Sequence, residues 1–182
     1  MAATPSTMMP LGTIAPSFSL PDTVSGNTVS LEGSAPVTVV AFICNHCPFV
    51  IHIANELTSF GNEVVANGGR FVAISSNDVA GYPQDGPEHM TTFAKDHGFN
   101  FPYLYDESQD VAKAYDAACT PDFFVFNDKM ECVYRGRFDS ATPGNENPID
   151  GNELRAAVEA TIKGEAVSQE QNPSIGCNIK WK

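Results

Sequence analysis

Positive charge is what this sequence has least of: 10 lysines and arginines face 22 acidic residues, for a net charge of −12. Nucleic acids and anionic membrane surfaces attract basic patches, so neither is an expected partner. Long apolar runs are missing too, and no stretch approaches the length that spans a bilayer. Residues 1–10 lack both the basic and the apolar region of a secretory signal, which makes the cytoplasm the expected location. Cysteine is sparse, five residues, odd in number and scattered. That excludes the disulfide framework of a small secreted domain and points to reactive or metal-binding thiols in a reducing compartment. No repeat or low-complexity tract breaks the chain, and 182 residues suffice for one domain with a real core.

What is present reads as strands and helices in turn. Phe18 and Leu20 alternate, a Gly26-Asn27 turn signal follows, and Val29 and Leu31 alternate again, predicting an amino-terminal hairpin. Residues 37–43 are continuously apolar and mostly β-branched, the pattern of a buried central strand. From Phe49 the period changes: Phe49, Ile53, Leu57, Phe60 and Val64 mark one face of a helix. Residues 71–74 read as a second buried strand, closed by the polar group Ser75-Ser76-Asn77-Asp78. Asp85-Gly86-Pro87 signals a helix start, with Met90, Phe93 and Ala94 inward and Gly98 as the stop. A short helix follows from Ser108, then a strand pair over 123–126 and 132–138 turning at Asn127-Asp128. Leu154, Val158 and Ile162 set a last helix, ending at Gly164.

This order predicts an α/β fold with a central mixed β-sheet flanked by helices. One domain spans 1–182, with a hairpin extension over 1–34 and a carboxyl-terminal tail over 165–182. In open sheets reactive groups gather beyond the carboxyl ends of parallel strands, and Cys44 stands at such an end.

Cys44-Asn45-His46-Cys47 joins the central strand to its helix. Unpaired backbone N–H groups at a helix start favour a thiolate. An unperturbed thiol is only about 3% ionised at pH 7 and needs that help. The spacing predicts Cys44 as the exposed nucleophile at the helix start. Cys47, one turn deeper, resolves the mixed disulfide. His46 either stabilises the Cys44 thiolate as an imidazolium or is simply solvated. Pro48 falls in the first turn, where a missing N–H matters least.

Longer segments surround this motif: Ala15-Pro16-Ser17-Phe18-Ser19-Leu20-Pro21, Phe42-Ile43-Cys44-Asn45-His46-Cys47-Pro48-Phe49 and Cys119-Thr120-Pro121-Asp122-Phe123-Phe124. Tyr134-Arg135-Gly136-Arg137-Phe138-Asp139 and Ser174-Ile175-Gly176-Cys177-Asn178-Ile179-Lys180-Trp181-Lys182 complete the set. On these the chain resembles the thioredoxin-like superfamily, in the redoxin (AhpC/TSA, peroxiredoxin-like) branch, with a Cys-x-x-Cys site. The resemblance implies a thioredoxin-like fold. It further implies a cis-proline facing the redox cysteines, preceded by a residue whose backbone bonds a substrate; by position these are Pro121 and Thr120.

Two departures from the resemblance stand out. Strand 37–43 carries no buried acid to move the proton of Cys47. The threonine expected three residues before a peroxidatic cysteine is replaced by Cys44 or by Ala41, depending on which thiol is chosen.

Cys119, next to Thr120-Pro121, reads equally as a third redox thiol or as a small core residue. Cys132 reads as core. Arg135 and Arg137 share a strand face and are candidates to hold a peroxide or thiolate, though solvated arginines are commoner. In the tail, Ile175, Ile179 and Trp181 flank Cys177, which follows a glycine. They predict docking of the tail, with Cys177 buried or within reach of the redox pair.

The leading function is a thiol–disulfide oxidoreductase using the Cys44–Cys47 couple, with no cofactor beyond that disulfide and no metal. Its partner is a protein or small-molecule disulfide or thiol, and the reductant is not readable. The second reading is a hydroperoxide-reducing peroxidase. The third is a metal-binding protein using Cys44, Cys47 and His46 or Cys177; a structural zinc site wants four ligands, usually two close pairs.

Overall fold

The computed structural model describes residues 3–182; the first two residues of the expected amino-terminal extension lie outside it. Five strands form the main sheet. β4 (Thr38–Phe42) lies at its centre with every residue buried. It pairs in parallel with β5 (Arg70–Ser75) and antiparallel with β8 (Asp122–Phe126). β6 (Tyr103–Tyr105) extends the parallel side and β9 (Cys132–Gly136) the antiparallel side. The sheet is therefore mixed, in the order β6-β5-β4-β8-β9.

Burial on both faces explains why β4 reads as an unbroken apolar run. Val39, Ala41 and Ile43 face a core shared with α1 (Pro48–Ala66), α2 (Pro87–His97) and α4 (Asn152–Ile162). Val40 and Phe42 face a second core with Tyr115, Phe124 and Phe126, covered by α3 (Asp110–Ala114) and the amino-terminal segment. The inward face of α1 is Val50, Ile53, Leu57, Phe60 and Val64, close to the predicted periodicity. Gly98 ends α2 at φ 76°, a left-handed conformation that glycine adopts without strain. Ile162, expected on the inner face of α4, is instead exposed.

β2 (Ser19–Pro21) and β3 (Thr28–Ser30) form the hairpin as a separate two-stranded sheet. Three short strands escaped the sequence reading besides β6. β1 (Ala3–Pro5), β10 (Ile175–Asn178) and β7 (Cys119–Thr120) form a small antiparallel sheet with β10 in the middle. This sheet brings the carboxyl-terminal tail against the segment Cys119-Thr120. Among the described residues no helix is long and apolar enough to cross a membrane.

Candidate active site

β4 delivers Cys44 just past its carboxyl end, and the chain enters α1 four residues later. Cys47, not Cys44, is the residue at the helix start: it takes an extended conformation, with Pro48 as first helical residue and its carbonyl accepting the Ile51 N–H at 2.9 Å. The free amides of the first turn thus face Cys47, reversing the expected arrangement. Nor is Cys44 exposed, since both thiols are fully buried. The expectation failed because a Cys-x-x-Cys spacing was read as wholly helical, whereas its first three residues form a loop folded under its neighbours.

The two thiols share a proton. Cys44 donates it to Cys47; this donation, burial and the charge of Asp85 hold the Cys44 thiol well above the ordinary range. Cys47 is lowered to about 5, first by that donated proton and, against burial, by the Cys177 thiol, the Thr120 hydroxyl and the Val50 amide. Its sulfur also lies 3.2 Å from the Thr120 carbonyl oxygen, to which the protonated thiol donates. Interacting thiols of this kind ionise as a unit, and of the two Cys47 is the one held low.

Cys177 completes a third corner. Its sulfur is 2.7 Å from that of Cys47. Burial and then the hydrogen bond with Cys47 push it up to about 12. Thr120 braces the same group, its hydroxyl 3.5 Å from Cys44 Sγ. The Thr120–Pro121 peptide bond is cis, the isomer that the resemblance implies. The Thr120 backbone, however, pairs with Cys177 of the protein's own β10 in the position expected for a substrate strand. Gly176 makes this possible, because a Cβ there would press into the Thr120 carbonyl.

His46 lies closer to Asp85 than to the thiols. Nδ1 lies 2.6 Å from Asp85 Oδ2 and 4.0 Å from Cys44 Sγ, while the ring stacks on Tyr82 at 5.6 Å. Asp85 is fully buried and also accepts from the Asn45 N–H at 3.0 Å and Asn77 Nδ2 at 2.8 Å. Tyr103 donates to the Asn45 side chain at 2.9 Å, fixing the loop from the other side. The sequence reading took Asp85 for part of a helix start and missed its role. Its place in a proline-flanked loop beyond the carboxyl end of β5 was the available signal. Cys44, His46 and Asp85 bring three potential metal-ligand atoms within 4.8 Å of one another.

The other candidates surround this group. Cys119 is buried with its thiol toward the Pro121 carbonyl at 3.7 Å, and burial first, then Asp122, Cys47 and Cys177, hold it well above the ordinary range; Cys132 bonds the Tyr134 carbonyl at 3.5 Å and packs in the second core. Arg135 binds the Met9 carbonyl and Gln171, and Arg137 binds Glu153, so neither guanidinium serves the thiols. In the tail Cys177 and Ile179 are buried, but Trp181 is 40% exposed and is not the anchor. Asp122, directly after Pro121, supplies a buried acid, but from β8 rather than β4, opposite Phe42 on the face away from α1. Burial holds its carboxyl well above the usual range, against the Ala118 and Phe123 amides that favour its charge.

A solved structure of an uncharacterized conserved protein from Geobacillus kaustophilus is similar to this chain throughout. It shows 52% identity and a TM-score of 0.97, covering 100% of this chain and 97% of that one. A hypothetical protein from Sinorhizobium meliloti is similar at 48% identity and a TM-score of 0.96, with 98% of each chain covered. A peroxidoxin from Mycobacterium tuberculosis shares the fold alone, at 19% identity and a TM-score of 0.61, over 86% of this chain and 98% of that one. No curated protein matches the chain. The mixed sheet flanked by helices is a thioredoxin-like fold. Residues 11–135 match the model of the AhpC/TSA family, to which the chain therefore belongs.

Proposed function

We propose that the protein is a thiol–disulfide oxidoreductase that cycles Cys44 and Cys47 between dithiol and disulfide. The observation that carries this reading is the placement of two buried thiols between the end of β4 and the start of α1, with the Thr120 hydroxyl 3.5 Å from Cys44 Sγ and the Thr120 carbonyl 3.2 Å from Cys47 Sγ. At a pKa of about 5 a thiol is about 99% ionised at pH 7, against about 3% for an unperturbed one. Passing the shared proton from Cys44 to Cys47 leaves the charge on Cys44, which sits beside half-buried His46 and is the nucleophile in this reading.

Cys44 then attacks one sulfur of a substrate disulfide and expels the other as a thiolate. Cys47 gives its proton to the expelled thiolate and attacks Cys44 Sγ of the mixed disulfide; the bond from Cys44 to the substrate breaks, releasing the second substrate thiolate and leaving the Cys44–Cys47 disulfide. Two electrons pass to the substrate; a thiol donor returns them. The engagement of Arg135 and Arg137 elsewhere favours a disulfide over a hydroperoxide as oxidant. Insulin-disulfide reduction and hydroperoxide consumption, assayed side by side, test the reading. Disulfide turnover abolished by Cys44→Ser is expected. Hydroperoxide consumption without disulfide turnover would replace it with the peroxidase, and stoichiometric metal by elemental analysis would point to the Cys44, His46 and Asp85 group as a ligand site.

A further inference from the structure

We infer that Cys177 is a third redox thiol of this site, exchanging with Cys44 for the disulfide bond to Cys47. The inference rests on the dithiol reading and adds a second, isomeric disulfide to it. Cys47 Sγ is the shared corner: it shares Thr120 with Cys44 and lies 2.7 Å from Cys177 Sγ, not far beyond an S–S bond of about 2.05 Å. The contact is built into the fold. β10 is held on both sides, with Cys177 opposite Thr120 on one edge and Ala3 on the other. The Ser6 N–H donates to the Ser174 carbonyl at 2.9 Å, and the Lys180 N–H to Asn77 Oδ1 at 2.9 Å, pinning the strand at both ends. Gly176 lets the strand approach Thr120 closely enough for the sulfurs to meet.

The exchange balances without any outside reagent. Cys177 loses its proton and attacks Cys47 Sγ of the Cys44–Cys47 disulfide. The Cys47–Cys177 bond forms and the Cys44–Cys47 bond breaks. The electron pair leaves on Cys44 Sγ, which takes up the proton, and no electrons are gained or lost overall. In the reduced protein burial, and after it the hydrogen bond and charge of Cys47, hold the Cys177 thiol high; oxidation of Cys47 removes the contributions of Cys47 and brings Cys177, already 2.7 Å away, nearer to attack. The result is a free Cys44 on the His46 side, while the oxidising equivalents are stored against the tail strand.

The test is disulfide mapping of the full chain after equilibration in glutathione buffers of several potentials, with free thiols blocked by N-ethylmaleimide. Two linked peptides are expected, Cys44–Cys47 and Cys47–Cys177. Their sum follows the buffer potential, while their ratio does not, because isomers differ by no electrons. In the Cys44→Ser protein the Cys47–Cys177 peptide should form alone. A Cys44–Cys47 peptide with Cys177 fully alkylated in the wild type, and a Cys44→Ser protein carrying only glutathione on Cys47, would overturn the inference and leave the dithiol reading intact. Absence of the Cys44–Cys47 link at every potential would instead overturn the dithiol reading.

Discussion

His46 and Asp85 form a closed pair beside the thiols: one ring nitrogen is 2.6 Å from the carboxylate and 4.0 Å from Cys44 Sγ. The histidine therefore acts on Cys44 mainly by screening Asp85, whose charge raises that thiol. Asp85→Asn removes the repulsion, stabilises the reduced pair and moves the couple to a less negative potential. His46→Ala exposes Cys44 to the carboxylate and moves it the other way. Shifts on the order of 10–30 mV are expected in glutathione equilibria, where 30 mV corresponds to about 1.4 kcal/mol. Equal potentials in both variants would show that neither group acts on the couple.

Acidification should reveal which sulfur holds the charge. Cys47 is lowered to about 5 in the folded protein, below about 8.5 in the unfolded chain. Between these values the unfolded state binds the extra proton, so this stabilisation is complete above about 8.5 and is lost as pH falls through about 5. Thiolate absorbance at 240 nm should persist at pH 7 and disappear near pH 5. The wild type should lose its advantage over Cys47→Ser on the same descent, by about 1.4 kcal/mol per unit at most. Absorbance that first appears near pH 8.5 would show that Cys47 is not held low.

Much of the fold was legible because its signals are local. The apolar run of β4, the helical period of Ile53, Leu57, Phe60 and Val64 in α1 and the glycine stop after α2 each lie within one element. β6 and β7 were not, because three- and two-residue strands carry no period. Cys44 and Cys47 were legible as a motif, but their environment was not. It depends on Asp85, Thr120 and Cys177, which lie 40, 76 and 130 residues away from their partners in the chain. The tail cluster pointed to docking correctly in kind and wrongly in detail: Ile179 is buried, whereas Trp181 is left exposed.

Asp122 should cost the protein stability at neutral pH. Its carboxyl is held well above the usual range, first by burial, so stability from this group is present below about 3.9 and is lost as pH rises. Asp122→Asn keeps the shape without the charge. The variant should match the wild type near pH 3.5 and exceed it increasingly towards pH 7, by up to about 1.4 kcal/mol per unit, in urea unfolding. A difference that does not change with pH would mean that the carboxyl already ionises freely.

Gly176→Ala tests whether the tail strand guards the thiols. The added methyl would press into the Thr120 carbonyl, a backbone atom that cannot swing aside, so β10 must shift. Overpacking of this kind costs about 1–3 kcal/mol, and part of it is relieved by loosening the strand from β7. Both Cys47 and Cys177 are buried in the native arrangement, with the Thr120 backbone paired to the tail. Loosening should therefore raise the rate of iodoacetamide labelling at both residues at least tenfold at pH 7, while the main sheet keeps its far-ultraviolet circular dichroism. It should also speed turnover of a bulky protein disulfide more than that of a small one, because the vacated Thr120 edge can then pair with an incoming strand. Unchanged labelling in a folded Gly176→Ala protein would show that substrates reach Cys44 from the His46 side without any movement of the tail.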